Sequence, residues 1–140
     1  MSYEVSYDCQ KVFDFVTNMV PLQRPETPIG IGLEKDGEMV AGVVYSDWCG
    51  TNIWAHVAAV PGRRWMTPSA YKKFTQACFH YPFIYLGVNR MTGWVEANNL
   101  EARRFDEHLG FKPEAVLRGA ARDGGDVIVY VMFREDCRYV

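Results

Sequence analysis

Residues Asn98 to Phe111 read NNLEARRFDEHLGF, and their reading decides the fold. The spacing predicts one helix with both ends marked. Asn98 suits the N-cap, and Glu101 three residues later completes a capping box, each side chain binding an exposed backbone N–H of the first turn. Ala102, Phe105 and Leu109 recur at helical intervals and form the buried stripe. Arg103, Arg104, Asp106, Glu107 and His108 cover the remaining faces. Gly110 stands just past the last turn, where a left-handed residue closes a Schellman motif. Phe111 then turns back towards the Phe105 turn.

Working upstream, Arg90–Glu96 predicts a strand that feeds this helix. Before it, Thr67 caps a helix that has Pro68 at its first position and runs to about His80. Ala70, Phe74, Ala77 and Cys78 mark its buried face, and Tyr81-Pro82 is expected to break it. Asn52–Val60 is a long strand with Ile53, Ala55 and Val57 on one face and Asn52, Trp54, His56 and Ala58 on the other. Ile29–Glu34 and Glu38–Tyr45 flank Lys35-Asp36-Gly37, and Asp-Gly between apolar runs signals a tight hairpin. Tyr3–Tyr7 alternates as a first strand. Asp8 caps a first helix through Val12, Phe13, Val16, Met19 and Val20, which Pro21 ends. Downstream, Ala115–Ala121 and Val127–Phe133 flank a turn at Asp123-Gly124-Gly125. The last strand is apolar on both faces and is expected to be central.

The order is strand, helix, three strands, helix, strand, helix, two strands. The strand–helix–strand passage around Val60–Arg90 implies one parallel crossover, right-handed by default. The remaining neighbours are hairpin-like. The fold class is therefore mixed α/β, a mostly antiparallel sheet flanked by helices. At 140 residues the chain reads as one domain, 1–140. Its net charge of −2 gives no basic footprint for nucleic acid. No apolar run approaches the roughly 20 residues of a membrane span, and no leader segment is visible. The four cysteines, Cys9, Cys49, Cys78 and Cys137, are far apart and read as reduced thiols. The three histidines show no metal-ligand spacing, so no metal is expected.

Asn99, Ala102, Phe105, Asp106, Leu109, Gly110 and Phe111 resemble the signature N-x-x-A-x-x-Φ-Y-x-x-L-G-F of the GNAT superfamily of acetyl-CoA-dependent N-acetyltransferases. The resemblance extends through LGVNRMTGWVEANN before it and FKPEAVLRGAARDGGDVIVYVMFRE after it. The chain resembles short GNAT-like proteins of tailed phages, and the hairpin with VLRGAARDGGD resembles the ribosomal-protein alanine acetyltransferase branch. The resemblance implies a GNAT acyl-CoA N-acyltransferase fold with acetyl-CoA as co-substrate. The acceptor it implies is an amine: a protein N-terminus, a lysine or a small molecule. It also implies a cytoplasmic protein, in the host cytoplasm if phage-encoded. A homo-oligomer stays open, and neither nucleic acid nor a membrane is expected as partner. Two rival readings keep the fold without the chemistry: an acyl-CoA-binding module with little or no turnover, and a structural or assembly protein.

Ligands of open α/β sheets lie at the carboxyl ends of strands, beside helix N-termini. That place is the junction Val60 to Thr67. By resemblance, Ala58, Val60, Gly62, Arg63, Arg64, Trp65, Met66 and Thr67 line the cofactor's path. Asn99 lies beside the pantetheine arm, and Phe105 packs against the thiol end. Helix-start N–H groups attract pyrophosphate oxygens. Yet Thr67 and Ser69 stand where the family's loop has glycines, and a Thr67 cap competes with phosphate for the same amides. Arg63 and Arg64 are either the compensating phosphate ligands or a solvated surface pair. The proline-rich loop Pro21–Pro28 is the acceptor-specificity loop by resemblance.

Acetyl transfer needs a base for the amine, donors for the oxyanion and an acid for the thiolate. His56 is the foremost base, with Glu96 behind it; the bland alternative for His56 is a hydrogen-bonded structural residue. Backbone N–H groups of Asn52–Val60 would serve the oxyanion. Asp106 stands where the family has its Tyr acid. It is a catalytic acid only if burial raises its pKa, and otherwise a surface carboxylate. Tyr85 and Tyr130 are substitute acids by residue type alone.

Overall fold

The computed structural model describes residues 2–20, 22–23, 25–61 and 67–140. The elements are β1 (Tyr3–Ser6), α1 (Cys9–Thr17), β2 (Ile29–Lys35), β3 (Glu38–Ser46), β4 (Asn52–Ala59), α2 (Pro68–His80), β5 (Arg90–Glu96), α3 (Leu100–Leu109), β6 (Lys112–Leu117) and β7 (Val127–Phe133). The strands form one sheet in the order β1-β2-β3-β4-β5-β7-β6. Every adjacent pair is antiparallel except β4 and β5. β7 lies between β5 and β6 and is buried over Val127–Met132, as its two-sided apolar sequence requires. The whole of β6 is an exposed edge.

The two faces of the sheet carry different helices. On one, Val12, Phe13 and Val16 of α1 cluster with Val44 and Ala58. On the other, Phe74 and Phe79 of α2 and Leu109 of α3 join Ile53, Met91, Ile128 and Tyr130 in the larger core. α1 approaches so closely because the sheet beneath it is glycine. Gly32 pairs with Gly42, and Gly30 lies two residues before Gly32 on β2. A Cβ on Gly30 would stand 2.9 Å from Val12 Cγ1 and 3.1 Å from the Val43 carbonyl oxygen. Backbone does not give way as a side-chain tip does. Gly30→Val is therefore expected to cost about 3 kcal/mol, at the upper end for overpacking. Urea denaturation measures it; an unchanged midpoint would refute the close-approach account.

Local signals and structure differ in four places. The N-cap of α3 is Asn99, whose side chain accepts the Ala102 N–H at 3.2 Å. With the cap on Asn99 the expected Asn98–Glu101 capping box does not form, and Asn98 Nδ2 donates to Asp123 Oδ2 at 2.7 Å. The loop before β7 thus takes the residue that local propensity assigned to the cap. The predicted Schellman closure does form, with Gly110 at φ 115° and the Phe111 N–H bonded to the Asp106 carbonyl. α1 ends at Thr17, before Met19 and Val20. β6 occupies Lys112–Leu117, ahead of the expected Ala115–Ala121.

Tyr81-Pro82 does not break the chain's helical path either. A π-helical turn, Tyr81–Tyr85, continues α2, closed by the Leu86 N–H on the Tyr81 carbonyl. Proline lacks the N–H that would have bonded the carbonyl four residues back, that of Cys78. The Tyr45 hydroxyl donates to that carbonyl instead. A partner from β3, remote in sequence, removes the penalty of an orphaned buried acceptor.

Candidate functional site

The parallel pair β4–β5 stays in register only through Asn52↔Arg90, Ile53↔Met91 and Trp54↔Thr92. β4 runs on to Ala59 and β5 to Glu96, yet no further pairing joins them. The two strands part and leave a wedge. β4 keeps its other neighbour: Ala41↔Ala59 still pairs with β3. The Val60 N–H also points that way, bonding the Val40 carbonyl at 2.9 Å. Backbone polar groups alternate sides along a strand, so Val57 and Ala59 direct theirs towards β5. The Ala55 carbonyl confirms the phase, lying 3.4 Å from where a Cβ on Gly93 would be. Amides of Val57 and Ala59 therefore face a gap with no strand opposite.

A cleft of about 330 Å³ occupies this wedge. Ala55–Val60 form one wall and Gly93–Glu96 the other. Asn99, Ala102, Phe105 and Asp106 of α3 close it on one face of the sheet, while Met19 and Val20 beyond α1 reach it from the opposite face. The cleft thus passes through the sheet and has two approaches. A thioester chain and an amine could enter from opposite faces and meet between the strands.

Of the residues singled out from sequence, His56, Ala58, Val60, Asn99, Phe105 and Asp106 line this one cleft. Thr67 caps α2, accepting the Ala70 N–H at 3.1 Å, and does not line the cleft. Its hydroxyl already holds one of the helix-start amides, as the capping motif predicts. Gly62, Arg63, Arg64, Trp65 and Met66 lie outside the described residues. Val57, Gly93 and Arg122 join the cleft without having been picked out. A signal existed for Gly93, since a lone glycine inside a strand often marks close backbone approach. Nothing local marked the others.

The ionisable groups sort clearly. His56 is 8% exposed, its Nε2 stands 2.9 Å from Ser46 Oγ, and its ring meets Trp94 edge-on at 6.3 Å. Burial drives its pKa down to about 4, with Asp47 opposing, so the ring is neutral at pH 7. Asp106 behaves oppositely. Burial of its carboxyl, helped by the neighbouring Glu107 charge, raises its pKa to about 7. It is no ordinary surface carboxylate: its residue is half-buried on the cleft side of α3.

The other candidate acids and bases fall away. Glu96 lines the cleft, but hydrogen bonds from Arg122 lower its carboxyl pKa, with the guanidinium at 2.6 Å. A carboxylate so held is a poor base. Tyr130 is fully buried and donates to Glu107 at 2.6 Å, on no wall of the cleft. Tyr85 is 78% exposed and borders a separate groove along β1 and α2. Neither tyrosine is a substitute acid here. Trp94 is a cleft wall, whereas Trp48 is exposed on the β3–β4 loop. All four cysteines are free thiols. Among the described residues no three His, Cys, Asp or Glu side chains cluster as a metal site, and no helix is long and apolar enough to cross a membrane.

No protein-family model matches the sequence, and no curated protein does. Solved structures match closely in shape. The chain superposes on the ribosomal-protein-S18-alanine N-acetyltransferase from Escherichia coli with TM-score 0.67 and 17% identity, covering 94% of each chain. Against spermidine/spermine N-acetyltransferase SpeG from Vibrio cholerae the TM-score is 0.70 at 12% identity, over 99% of this chain and 97% of that one. Ard1 from Thermoplasma volcanium gives 0.68 at 15%, over 95% and 98%.

The fold is that of the GNAT acetyltransferases.

At these identities the likeness is one of fold. The chain spans 66% of the GNAT-family acetyltransferase from Bacillus anthracis and 64% of one further acetyltransferase chain, so some relatives of this fold are longer. The seven strands and three helices span nearly the whole length of the smaller neighbours.

Proposed function

We propose that residues 1–140 form one acetyltransferase domain that moves an acetyl group from acetyl-CoA to a primary amine by direct attack on the thioester. The observation that carries this is the wedge between β4 and β5, where backbone amides face open space inside a cleft reachable from both faces of the sheet. The donor set suits a thioester: outward-facing amides for a carbonyl oxygen, apolar Ala58, Ala102 and Phe105 for a pantetheine chain, and Asn99 at the start of α3. Acetyl-CoA supplies the activated acyl group.

Val57 and Ala59 direct N–H groups at the oxygen on which negative charge develops. Asp106 holds a proton that the departing sulfur can take. A carboxyl with a pKa near 7 is about half protonated at neutral pH, which suits a general acid. His56, neutral at that pH, is too weak a base to deprotonate a free alkylammonium, whose pKa is about 10. It can accept a proton from the far more acidic nitrogen formed once the amine has attacked. The acceptor is an amine carried by a protein N-terminus, a lysine or a small molecule, with the approach beside Met19 and Trp94 as its entry.

Two features favour the rival reading of a binder without turnover: Asp106 in place of Tyr, and a Thr67 hydroxyl already bonded to a helix-start amide. Two measurements separate the readings. Calorimetric titration with acetyl-CoA is expected to show saturable binding, and coenzyme A thiol is expected to be released with at least one member of an amine panel. Binding with no release would leave the binder; absence of binding would leave a scaffold.

A further inference from the structure

We propose that Ser46 fixes the tautomer of His56: the ring's Nε2–H donates to Ser46 Oγ, and the lone pair on Nδ1 is presented to the cleft. Ser46 is a positioning residue in this scheme, and its catalytic consequence rests on the acetyltransferase reading above.

The geometry carries the assignment. Ser46 ends β3 and sits one register step from His56, since Val44↔His56 and Ser46↔Trp54 are successive pairs on the same face. Its hydroxyl lies 2.9 Å from Nε2. Nδ1 has no protein partner among the described residues. Nor is it a sealed orphan: the buried side-chain polar atom left without a partner there is the Tyr3 hydroxyl. His56 lines the cleft, so Nδ1 is the nitrogen left to meet its contents.

A hydroxyl can donate or accept, and the ring's two tautomers differ in which nitrogen holds the proton. If Ser46 donated to Nε2, the proton would sit on Nδ1 and the cleft would meet a donor. The charged neighbour argues for the other arrangement. Asp47, next to Ser46 and held at φ 53°, is the charged group acting on the ring among the described residues. A negative charge tethered one residue beyond Ser46 favours a ring hydrogen directed at Ser46, hence Nε2–H. Trp94 from β5 meets the ring edge-on, Met19 and Val20 beyond α1 bring no charge, and the cleft's charged or titratable groups are Glu96 on β5, Glu101 and Asp106 on α3 and Arg122 on the β6–β7 loop.

The proton balance is simple. The attacking nitrogen, once bonded to the acyl carbon, carries a surplus proton. Its N–H bond breaks, the electron pair stays on nitrogen, and an Nδ1–H bond forms. The resulting imidazolium keeps its Nε2–H on Ser46 Oγ, with Asp47 offsetting the charge, until Nδ1 returns the proton to water.

Nitrogen-15 NMR of histidine-labelled protein tests the tautomer without any substrate. In the wild type at pH 7, His56 is expected to show an unprotonated Nδ1 and a protonated Nε2. Ser46→Ala is expected to mix the two forms, and Ser46→Thr to restore the first. A wild-type ring with its proton on Nδ1, or an unchanged ring in Ser46→Ala, overturns the proposal. In turnover, Ser46→Ala is expected to lower kcat about tenfold with KM for acetyl-CoA unchanged, and to alter the acid limb of the pH profile. Ser46→Thr should recover most of the rate. Equal kcat and an equal profile in Ser46→Ala would remove Ser46 from catalysis. A wild type that acetylates no amine sinks the acetyltransferase reading alone, since the NMR result still decides the tautomer.

Discussion

Asp106→Asn is expected to lower kcat about 100-fold while leaving acetyl-CoA affinity nearly unchanged. Asparagine keeps the shape and loses the transferable proton. The wild-type rate should fall as pH rises through about 7, where the carboxyl ionises, and the variant should lack that limb. Wild-type turnover by the variant would strip Asp106 of its role as acid.

The same substitution has a stability signature. A free Asp titrates near 3.9, and the folded-state value is about 7, so the folded chain holds this proton more tightly than the unfolded one. Folding is therefore least penalised below about pH 4. The penalty grows as pH rises from about 4 to 7, because the unfolded chain ionises there and the folded chain resists. Above pH 7 it is complete. The shift sets an upper bound of about 4 kcal/mol, and partial solvent access reduces it to about 2. Asparagine carries no such penalty. Asp106→Asn is thus expected to be more stable than wild type by about 2 kcal/mol at pH 8 and by almost nothing at pH 4. A difference that does not vary with pH in urea melts would show that the carboxyl is well solvated.

Gly93→Leu should weaken acetyl-CoA binding at least 100-fold and leave the fold intact. Gly93 lines the cleft where the strands begin to part. A Cβ there meets only the Ala55 carbonyl oxygen, at 3.4 Å, an ordinary contact. Gly93→Ala is accordingly expected to behave nearly as wild type. The further carbons of leucine must enter the wedge and occupy the space a pantetheine chain needs. Wild type at ligand 100 times Kd gains about 2.7 kcal/mol of stability, and the leucine variant should gain almost none. Undiminished binding by Gly93→Leu, with circular dichroism matching wild type, would place acetyl-CoA elsewhere.

The sequence by itself determined the local units. The Gly110 closure, the Thr67-Pro68 start of α2 and the Asp36-Gly37 hairpin rest on contacts within a few residues, so their residue types suffice. The face of β4 that carries His56 followed from strand alternation. The GNAT signature on α3 added the fold, and the structure agrees with it.

Only the tertiary structure decided what pairs across the chain. Asn99 caps α3, while the Asn98 side chain is drawn to Asp123, 25 residues on. Pro82 left the helical path continuous because a β3 hydroxyl satisfies the carbonyl it orphans. Glu96 ceased to be a base because Arg122 closes on it. The wedge itself is set by where β4–β5 pairing stops, which no residue type announces. The Asp106 and His56 pKa values move in opposite directions because burial penalises charge of either sign, and burial is a property of the assembled sheet and helices rather than of any short stretch of chain.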